Sequence, residues 1–436
     1  MADSGAQQFV RVIAARAGTL AMGVVASVVI ARALPPEARG TYYVAVTFGT
    51  TAMALGHLSV EQAQTALWSD KSKRPLLEAN SVPLGLLVGA VAALLAMAAA
   101  AAFQGYGNLP GLWLLAAACA NVPLAVGVLY ASNIAVLRDR SREAGLAALV
   151  AAAVQCACLV ALGATGHITV YTVVIVWSAS SVVSLAVLVG TGGVGVARPR
   201  MGLARLACLK GLRLHAGSTA TFLLLRSDVF LLNALAGPHA VGVYTLAVTL
   251  AELSRVAVDV FAQITLPRQF DHDKRGAVPV VVRNVRLMAL LSAASALTTV
   301  VAVAALIRPV YGAAYAEAAA LTTWLVPGVL LMSAGRPVST YLLRFRSARS
   351  VVVPSMLALG VNTGLNLLLI PVWGAVGCAI ASTVAYLTVM GVQFGLFLRD
   401  SGVPWWRLLP TGAEAAQLTK SLRRRRGGLR VGGQAG

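Results

Sequence analysis

The chain has 436 residues, of which 58% are hydrophobic and only 11% are charged. Soluble domains carry about 25% charged residues, so this composition excludes an ordinary soluble enzyme and predicts a membrane protein. The formal net charge of +20 is that of many nucleic-acid-binding proteins, but the basic residues alternate loop by loop instead of forming one patch. The charge therefore indicates membrane topology, and no nucleic-acid partner is expected.

Twelve apolar segments are long enough to cross a bilayer. A transmembrane helix needs about 20 mostly apolar residues, because its backbone hydrogen bonds must be made within the segment. The twelve predicted spans are residues 12–31, 41–60, 81–103, 111–136, 145–163, 168–190, 212–236, 241–266, 285–307, 319–343, 350–371 and 374–398. The N-terminal sequence MADSGAQQFVRV lacks the features of a cleavable signal peptide, so the first span is expected to remain.

The basic residues predict the orientation. With a cytoplasmic N-terminus, most of the 35 Lys and Arg residues lie on the inside, and only Arg32, Arg39 and Arg308 lie in outside loops. Because positive charge marks cytoplasmic loops, both termini of this cell-membrane protein are predicted to be cytoplasmic. The predicted parts are an N-terminal six-helix lobe (1–190), a cytoplasmic linker (191–211), a C-terminal six-helix lobe (212–398) and a basic cytoplasmic tail (399–436).

The tail combines PWWRLL at 404–409 with RRRR at 423–426. Each basic residue near an anionic membrane surface contributes about 1 kcal/mol, so binding of anionic phospholipids is expected. The same charges are equally typical of a disordered tail that only sets topology.

No catalytic, metal or cofactor motif stands in a suitable context. GTGGVG at 190–195 follows a membrane span, whereas a dinucleotide site needs a strand before it and a helix after it. Asp271-His272-Asp273 lies among basic residues in a short loop and is best interpreted as a solvated turn. We therefore expect no enzyme activity, no bound metal and no cofactor.

One phrase occurs twice. Residues 40–47 read GTYYVAVT and residues 242–249 read GVYTLAVT, each after a short outside turn and each at the start of the second span of a hairpin. The second hairpin begins six spans after the first, so the two run in the same direction, as in transporters built from two parallel six-helix repeats. Gly40, Tyr42, Gly242 and Tyr244 are therefore assigned to the scaffold of these hairpins.

Three longer stretches carry a family resemblance: VVIARALPPEARGTYYVAVTFGTTAMALG, RSDVFLLNALAGPHAVGVYTLAVTLAELSRV and IPVWGAVGCAIASTVAY. Together they resemble polysaccharide-biosynthesis flippases, of the O-antigen (lipopolysaccharide) type, in the multidrug/oligosaccharidyl-lipid/polysaccharide (MOP) superfamily. The resemblance implies an all-α polytopic membrane protein with about twelve helices in two lobes around a central cavity. It also implies transport of a polyprenyl-diphosphate-linked oligosaccharide to the outer leaflet, and other polysaccharide assembly proteins as possible partners.

Charged residues within spans are costly and usually face a cavity or a partner. Arg226 lies 13 residues beyond Arg213, roughly 20 Å along a helix, which is too deep for easy access to the interface. Asp228 points to a different side of the same helix. Glu252, Arg255 and Asp259 share one helical face, which indicates either a self-compensating ion triad or a cavity lining.

Four further residues lie near predicted inner span ends. Arg16 and Arg336 are close enough to the interface for their side chains to reach it, so a cavity role and a surface role are about equally supported. His57 and Glu61 form an i, i+4 pair, for which a packed or solvated pair is favoured over a proton relay.

Guanidinium groups suit a diphosphate, because their donor geometry matches phosphate oxygens. Arg226 and Arg255, with Arg16 and Arg336 nearer the entrance, are the predicted substrate ligands. The side chains of Asp228, Glu252, Asp259, Glu61 and His57 are predicted to hold these arginines or to couple transport to a proton or sodium gradient.

Three other functions stay open. A drug or organic-cation antiporter of the MATE type should carry a carboxylate in the middle of the first six spans, and none is found there. A peptidoglycan-precursor flippase resembles a chain of fourteen spans. A membrane glycosyltransferase or polymerase usually carries a large loop domain, which this sequence lacks.

Overall fold

The computed structural model describes residues 5–105, 108–192, 194, 200–266 and 273–411, and every regular element in them is helical. Asp271, His272 and the arginine run at 423–426 lie outside these ranges, so the predictions for them are not addressed by the structure. The side chain of Arg16 is likewise not described, although its backbone lies in the first helix.

Fourteen α-helices follow one another along the described chain. They are α1 (Gly5–Ala33), α2 (Pro36–Gly56), α3 (Val60–Leu67), α4 (Arg74–Ala102), α5 (Leu112–Cys119), α6 (Asn121–Leu137), α7 (Ser141–Ala164), α8 (Val170–Gly190), α9 (Met201–Leu253), α10 (Val256–Thr265), α11 (Lys274–Leu306), α12 (Ala318–Ala334), α13 (Arg336–Phe345) and α14 (Arg349–Ser401). Short π-helical and 3₁₀ turns occupy Ile307–Tyr311, Ala313–Tyr315 and Trp405–Leu408.

Nine of the described helical stretches are long and apolar enough to cross a membrane. Two of the longest are not straight: α9 is interrupted at Gly237 (φ 82°) and α14 at Gly374 (φ 55°), backbone conformations that glycine adopts readily. Gly237 falls between the predicted spans 212–236 and 241–266, and Gly374 is the first residue of the predicted span 374–398. An all-α polytopic membrane fold is thereby confirmed, and the number twelve stays a prediction.

The chain forms two compact units. The first comprises Met1–Thr245, Ile307–Glu317 and Asn366–Cys378, and the second comprises Leu246–Leu306, Ala318–Leu365 and Ala379–Gly436. These units are defined by contacts, whereas the predicted six-helix lobes are defined by the repeat, and the lobe boundaries remain predictions.

In the first unit, α4 packs on α6 and α1 packs on α7. Small residues bring the first pair close: a Cβ at Gly85 would stand 2.7 Å from the Cα of Gly127, and one at Gly89 would stand 2.5 Å from the Cα of Pro123. Glycines four residues apart permit this approach of two helix backbones. The resulting core includes Tyr130, which is fully buried.

In the second unit, α11 packs on α10, α12 and α13. Its best-defined core contains Val281 of α11, Val338 and Tyr341 of α13 and Phe397 of α14. Tyr341 lies edge-on to Phe397 with ring centroids 5.1 Å apart, an arrangement favoured by the aromatic quadrupole.

Candidate functional site

The two copies of the repeated phrase are in direct contact. A Cβ at Gly40 of α2 would stand 1.8 Å from the carbonyl oxygen of Pro238, and a Cβ at Gly242 of α9 would stand 1.8 Å from the carbonyl oxygen of Pro36. The contact is reciprocal because each copy reads Pro-x-x-x-Gly, PEARG at 36–40 and PHAVG at 238–242. Only glycine fits at both positions, so the repeat is a packing motif between α2 and α9.

Arg39 secures this contact. The residue is 3% exposed, and its Nη1 donates to the carbonyl oxygen of Gly242 at 2.5 Å and lies 3.4 Å from Thr245 Oγ1. Its guanidinium also lies over the ring of Tyr315, 5.7 Å from the centroid. These contacts satisfy Nη1, whereas the buried Nε of Arg39 has no hydrogen-bond partner among the described residues.

A second arginine joins the last turn of α1 to the π-helical turn. Arg32 Nε donates to the carbonyl oxygen of Val310 at 2.7 Å, and its Nη2 donates to that of Pro309. The hydroxyl of Tyr315 donates to the carbonyl oxygen of Leu34 at 2.8 Å.

Sequence reasoning treated Arg32 and Arg39 as loop charges and did not single out Tyr315. The signal that could have found Arg39 is its position directly before the glycine of the first Pro-x-x-x-Gly copy. Its partner Gly242 is 203 residues away, so no local pattern shows the bond.

Asp228 is buried, 3% exposed, in the part of α9 before Gly237. Its carboxylate accepts a hydrogen bond from the hydroxyl of Tyr244, which is the tyrosine of the second repeated phrase. The scaffold tyrosine therefore holds a predicted coupling carboxylate, while Arg226 is half-buried two residues earlier.

The end of α2 meets the first part of α9 through a polar cluster. Ser59 Oγ lies 3.0 Å from His215 Nδ1 and 3.0 Å from Ser218 Oγ, and the His57 and His215 rings are 5.0 Å apart. His57 Nε2 and Glu61 Oε1 are 4.0 Å apart, as the i, i+4 spacing predicts. His215, which sequence reasoning did not select, is buried at the centre of this cluster.

A short turn interrupts the helical segment that carries the acidic and basic triad of the second unit. Helix α9 ends at Leu253 and α10 begins at Val256, so a turn lies between Glu252 and Asp259. Asp259 Oδ1 accepts from Arg336 Nη1 at the start of α13, a partner that sequence spacing does not indicate. The Nε of Arg255 is buried and has no hydrogen-bond partner among the described residues.

These sites can be sorted by their chemistry. Arg336 is neutralised by Asp259, and Arg39 binds the carbonyl oxygen of Gly242 through Nη1, although its buried Nε, like that of Arg255, has no hydrogen-bond partner among the described residues. Arg255 retains an unused buried donor, and such a donor is costly unless another group or a ligand satisfies it. Among the described residues, no group of three or more His, Cys, Asp or Glu side chains is placed to hold a metal ion.

Solved structures show the same fold. The lipid II flippase MurJ in an inward closed conformation superposes with a TM-score of 0.64 at 12% identity, covering 89% of each chain. An inward-facing MATE-family multidrug resistance transporter gives 0.67 at 14% identity, covering 88% of this chain and 95% of its own. A MOP-superfamily transporter from Pyrococcus furiosus gives 0.57 at 16% identity, covering 90% and 94%. A search of curated protein sequences finds no match.

The chain is thus a polytopic membrane protein with the fold of MOP-superfamily transporters and flippases. Residues 9–271 match the family described as polysaccharide biosynthesis protein, which covers more than half of the sequence. The chain belongs to that family, and the resemblance inferred from its three longer stretches is confirmed.

Proposed function

We propose that the protein is a flippase that moves a polyprenyl-diphosphate-linked oligosaccharide from the inner to the outer leaflet of the cytoplasmic membrane, by alternating access. Membership of the polysaccharide biosynthesis family and a fold shared with a lipid II flippase support this function. Such a substrate is amphipathic, with a polar glycan and diphosphate on an apolar polyprenyl chain, so the protein has to hold the charged diphosphate while the lipid tail remains in the bilayer.

The observation that supports an anionic substrate is the unsatisfied Nε of Arg255. This buried Nε has no hydrogen-bond partner among the described residues, and Asp259, four residues further along the chain, is bound by Arg336. A guanidinium with a buried, unused donor in the predicted span 241–266 favours an anionic ligand over a cationic one. We assign Arg255 to the diphosphate.

The remaining predicted ligands have different parts in the proposal. Arg226 is kept as a second diphosphate ligand and Arg16 as a residue near the entrance. Arg336 acts through its ion pair with Asp259, which fixes its guanidinium beside α10. Transport is proposed to be coupled to a proton or sodium gradient through Asp228, whose carboxylate is held by Tyr244.

Export in cells tests the site. Arg255→Ala, and more strongly the Arg226→Ala/Arg255→Ala double variant, should abolish glycan export at normal protein levels. Arg255→Lys keeps the charge and loses the planar donor pair, so partial export is expected. Arg142→Ala, at an exposed position at the start of α7, is the matched control and should export normally. Intact export by the double variant would refute the assignment.

A further inference from the structure

The turn after α2 lies against α9 in an unusual backbone conformation. Leu58 and Ser59 both have positive φ angles, 51° and 47°, a left-handed conformation that is uncommon for residues other than glycine. A Cβ at Gly211 of α9 would stand 2.3 Å from the carbonyl oxygen of Leu58, so only glycine admits the turn at this point. Ser59 is fully buried there. A conformation of this kind persists only where the surrounding structure holds it, and such places are often functional.

Two histidines beside this turn have defined hydrogen-bonding states. His215 Nε2 lies 2.9 Å from the carbonyl oxygen of Leu55, which can only accept, so Nε2 carries a hydrogen. In the neutral ring Nδ1 is then an acceptor, and it takes the hydrogen of the Ser59 hydroxyl at 3.0 Å. The backbone N–H of Ser59 donates to His57 Nδ1 at 3.2 Å. Both imidazoles therefore accept a hydrogen bond at Nδ1, and in both cases Ser59 is the donor.

The two rings differ in how they can take up a proton. A proton on His215 Nδ1 can be donated to Ser59 Oγ, because a hydroxyl can rotate and accept. The Ser59 hydroxyl then donates to Ser218 Oγ, 3.0 Å away, and the Ser218 hydroxyl donates to the carbonyl oxygen of His215 at 3.0 Å. A proton on His57 Nδ1 would instead oppose the backbone N–H of Ser59, which cannot turn away. His215 is therefore the ring that gains a proton without losing a hydrogen bond.

One carboxylate supplies the charge that a proton here would balance. Glu61 Oε1 lies 4.0 Å from His57 Nε2, and the His57 and His215 rings are 5.0 Å apart. Glu61 Oε2 is buried and has no hydrogen-bond partner among the described residues. A buried carboxylate favours a positive charge nearby, whereas two imidazolium rings at 5.0 Å would repel each other. The cluster is therefore suited to one proton.

The neighbouring helices bring no second carboxylate into hydrogen-bond or ion-pair contact with the two rings, among the described residues. The hydroxyl of Tyr130 on α6 donates to the carbonyl oxygen of His57. Lys210 lies five residues before His215 and so on a different face of α9. Further titratable groups on these helices are Glu78 of α4, which pairs with Arg138 of α6, and Arg205, Cys208 and Arg213 of α9, of which the two arginines are exposed. Glu61 is therefore the counter-charge of the pair.

We propose that His215 binds a proton that couples transport, at Nδ1, with Ser59 as its hydrogen-bond partner and Glu61 as its counter-charge. The inference rests on the proposed function: it names the proton as the coupling ion and adds a second group to Asp228. A hard metal cation is less suited, because it prefers several oxygen ligands and the cluster presents imidazole nitrogens. The site joins α2 to the first part of α9 at their predicted inner ends, so separation of these ends during alternating access exposes His215 and lets the proton exchange.

NMR of the full chain with nitrogen-labelled histidine, in lipid nanodiscs, tests proton binding without transport. The chain has five histidines, and His57→Gln and His215→Gln assign the two signals. As the pH falls from about 8 to about 5, His215 Nδ1 should become protonated while His57 Nδ1 stays unprotonated. Glu61→Gln removes the counter-charge and should lower the proton affinity of His215 at least about threefold. Ser59→Gly suits the left-handed backbone and should also lower it, because a hydrogen bond to the charged ring is stronger than one to the neutral ring.

Glu37→Gln, at an exposed position at the other end of α2, is the matched control and should leave the proton affinity of His215 unchanged. The wild-type titration alone shows which ring is protonated, so this part of the test does not depend on the folding of the charge variants. A His215 ring that stays neutral over the whole pH range, or a proton affinity that Glu61→Gln leaves unchanged, would overturn the proton site.

Flipping in vesicles tests the coupling separately. A pH difference across the membrane should speed wild-type flipping of the lipid-linked oligosaccharide several-fold, and it should have no effect on His215→Gln protein. Wild-type flipping that ignores the pH difference would refute the coupling and leave the flippase function standing. Protonation of His215 in a protein that flips no lipid-linked oligosaccharide would refute the proposed function and still support the proton site.

Discussion

Replacing Gly242 by alanine should separate α2 from α9. The added Cβ would stand 1.8 Å from the carbonyl oxygen of Pro36, and ordinary van der Waals contact begins at 3.4 Å, so the backbones must part by about 1.6 Å, the difference between the two distances. The opposing atom belongs to the backbone, so no side-chain rotation relieves the overlap. Overpacking of this kind costs typically 1–3 kcal/mol, and the rigid geometry places Gly242→Ala at or above the top of that range.

The thermal midpoint in detergent, followed by fluorescence size-exclusion chromatography, measures this cost. We expect Gly242→Ala and Gly40→Ala each to lower the midpoint by several degrees. Gly391→Ala in α14 is the control, because its Cβ meets no heavy atom of the described chain within 4 Å and alanine is favoured over glycine in a helix by about 1 kcal/mol.

The double variant gives the sharper result. Once one methyl group has forced the two backbones apart, the second finds the space already open, so the Gly40→Ala/Gly242→Ala effect should be clearly smaller than the sum of the single effects. Midpoints equal to that of Gly391→Ala, or strictly additive losses, would refute the reciprocal contact.

Two further predictions concern buried polar pairs. Tyr244→Phe removes the hydroxyl that donates to the buried carboxylate of Asp228. Because that carboxylate loses a charge-assisted hydrogen bond, the protein should be destabilised by about 1–3 kcal/mol. An unchanged unfolding midpoint would show that this hydrogen bond does not stabilise the protein. Asp259→Arg and Arg336→Asp should each impair export, and the doubly exchanged chain should recover a substantial part of it. An exchanged chain no better than the worse single variant would show that the ion pair has no part in transport.

The fold could be predicted from the sequence because membrane spans are set by apolar length. The predicted break between 236 and 241 contains Gly237, where α9 is interrupted, and Gly374, where α14 is interrupted, is the first residue of the predicted span 374–398. In both places, glycine supplies a backbone conformation that other residues rarely adopt. The repeated phrase was also recognised, although its role as a contact between the two copies needs coordinates.

The partners of charged residues could not be predicted in the same way. Periodicity places Glu252, Arg255 and Asp259 on one helical face, but the structure pairs Asp259 with Arg336, 77 residues away. Arg39 was counted as a loop charge and is buried against Gly242. These pairings depend on how distant helices pack, and one sequence contains no record of that packing.

A flipping assay with purified protein tests the central claim most directly. Vesicles carry the protein and a polyprenyl-diphosphate-linked oligosaccharide with a fluorophore on its sugar, and a membrane-impermeant reductant added outside bleaches only the outer-leaflet fraction. We predict that vesicles with the protein lose fluorescence beyond that fraction, and that vesicles with Arg255→Ala protein behave like protein-free ones. The contradicting result has two parts: bleaching of wild-type vesicles stops at the protein-free level, and the same vesicles expel an organic cation. That combination would favour an antiporter.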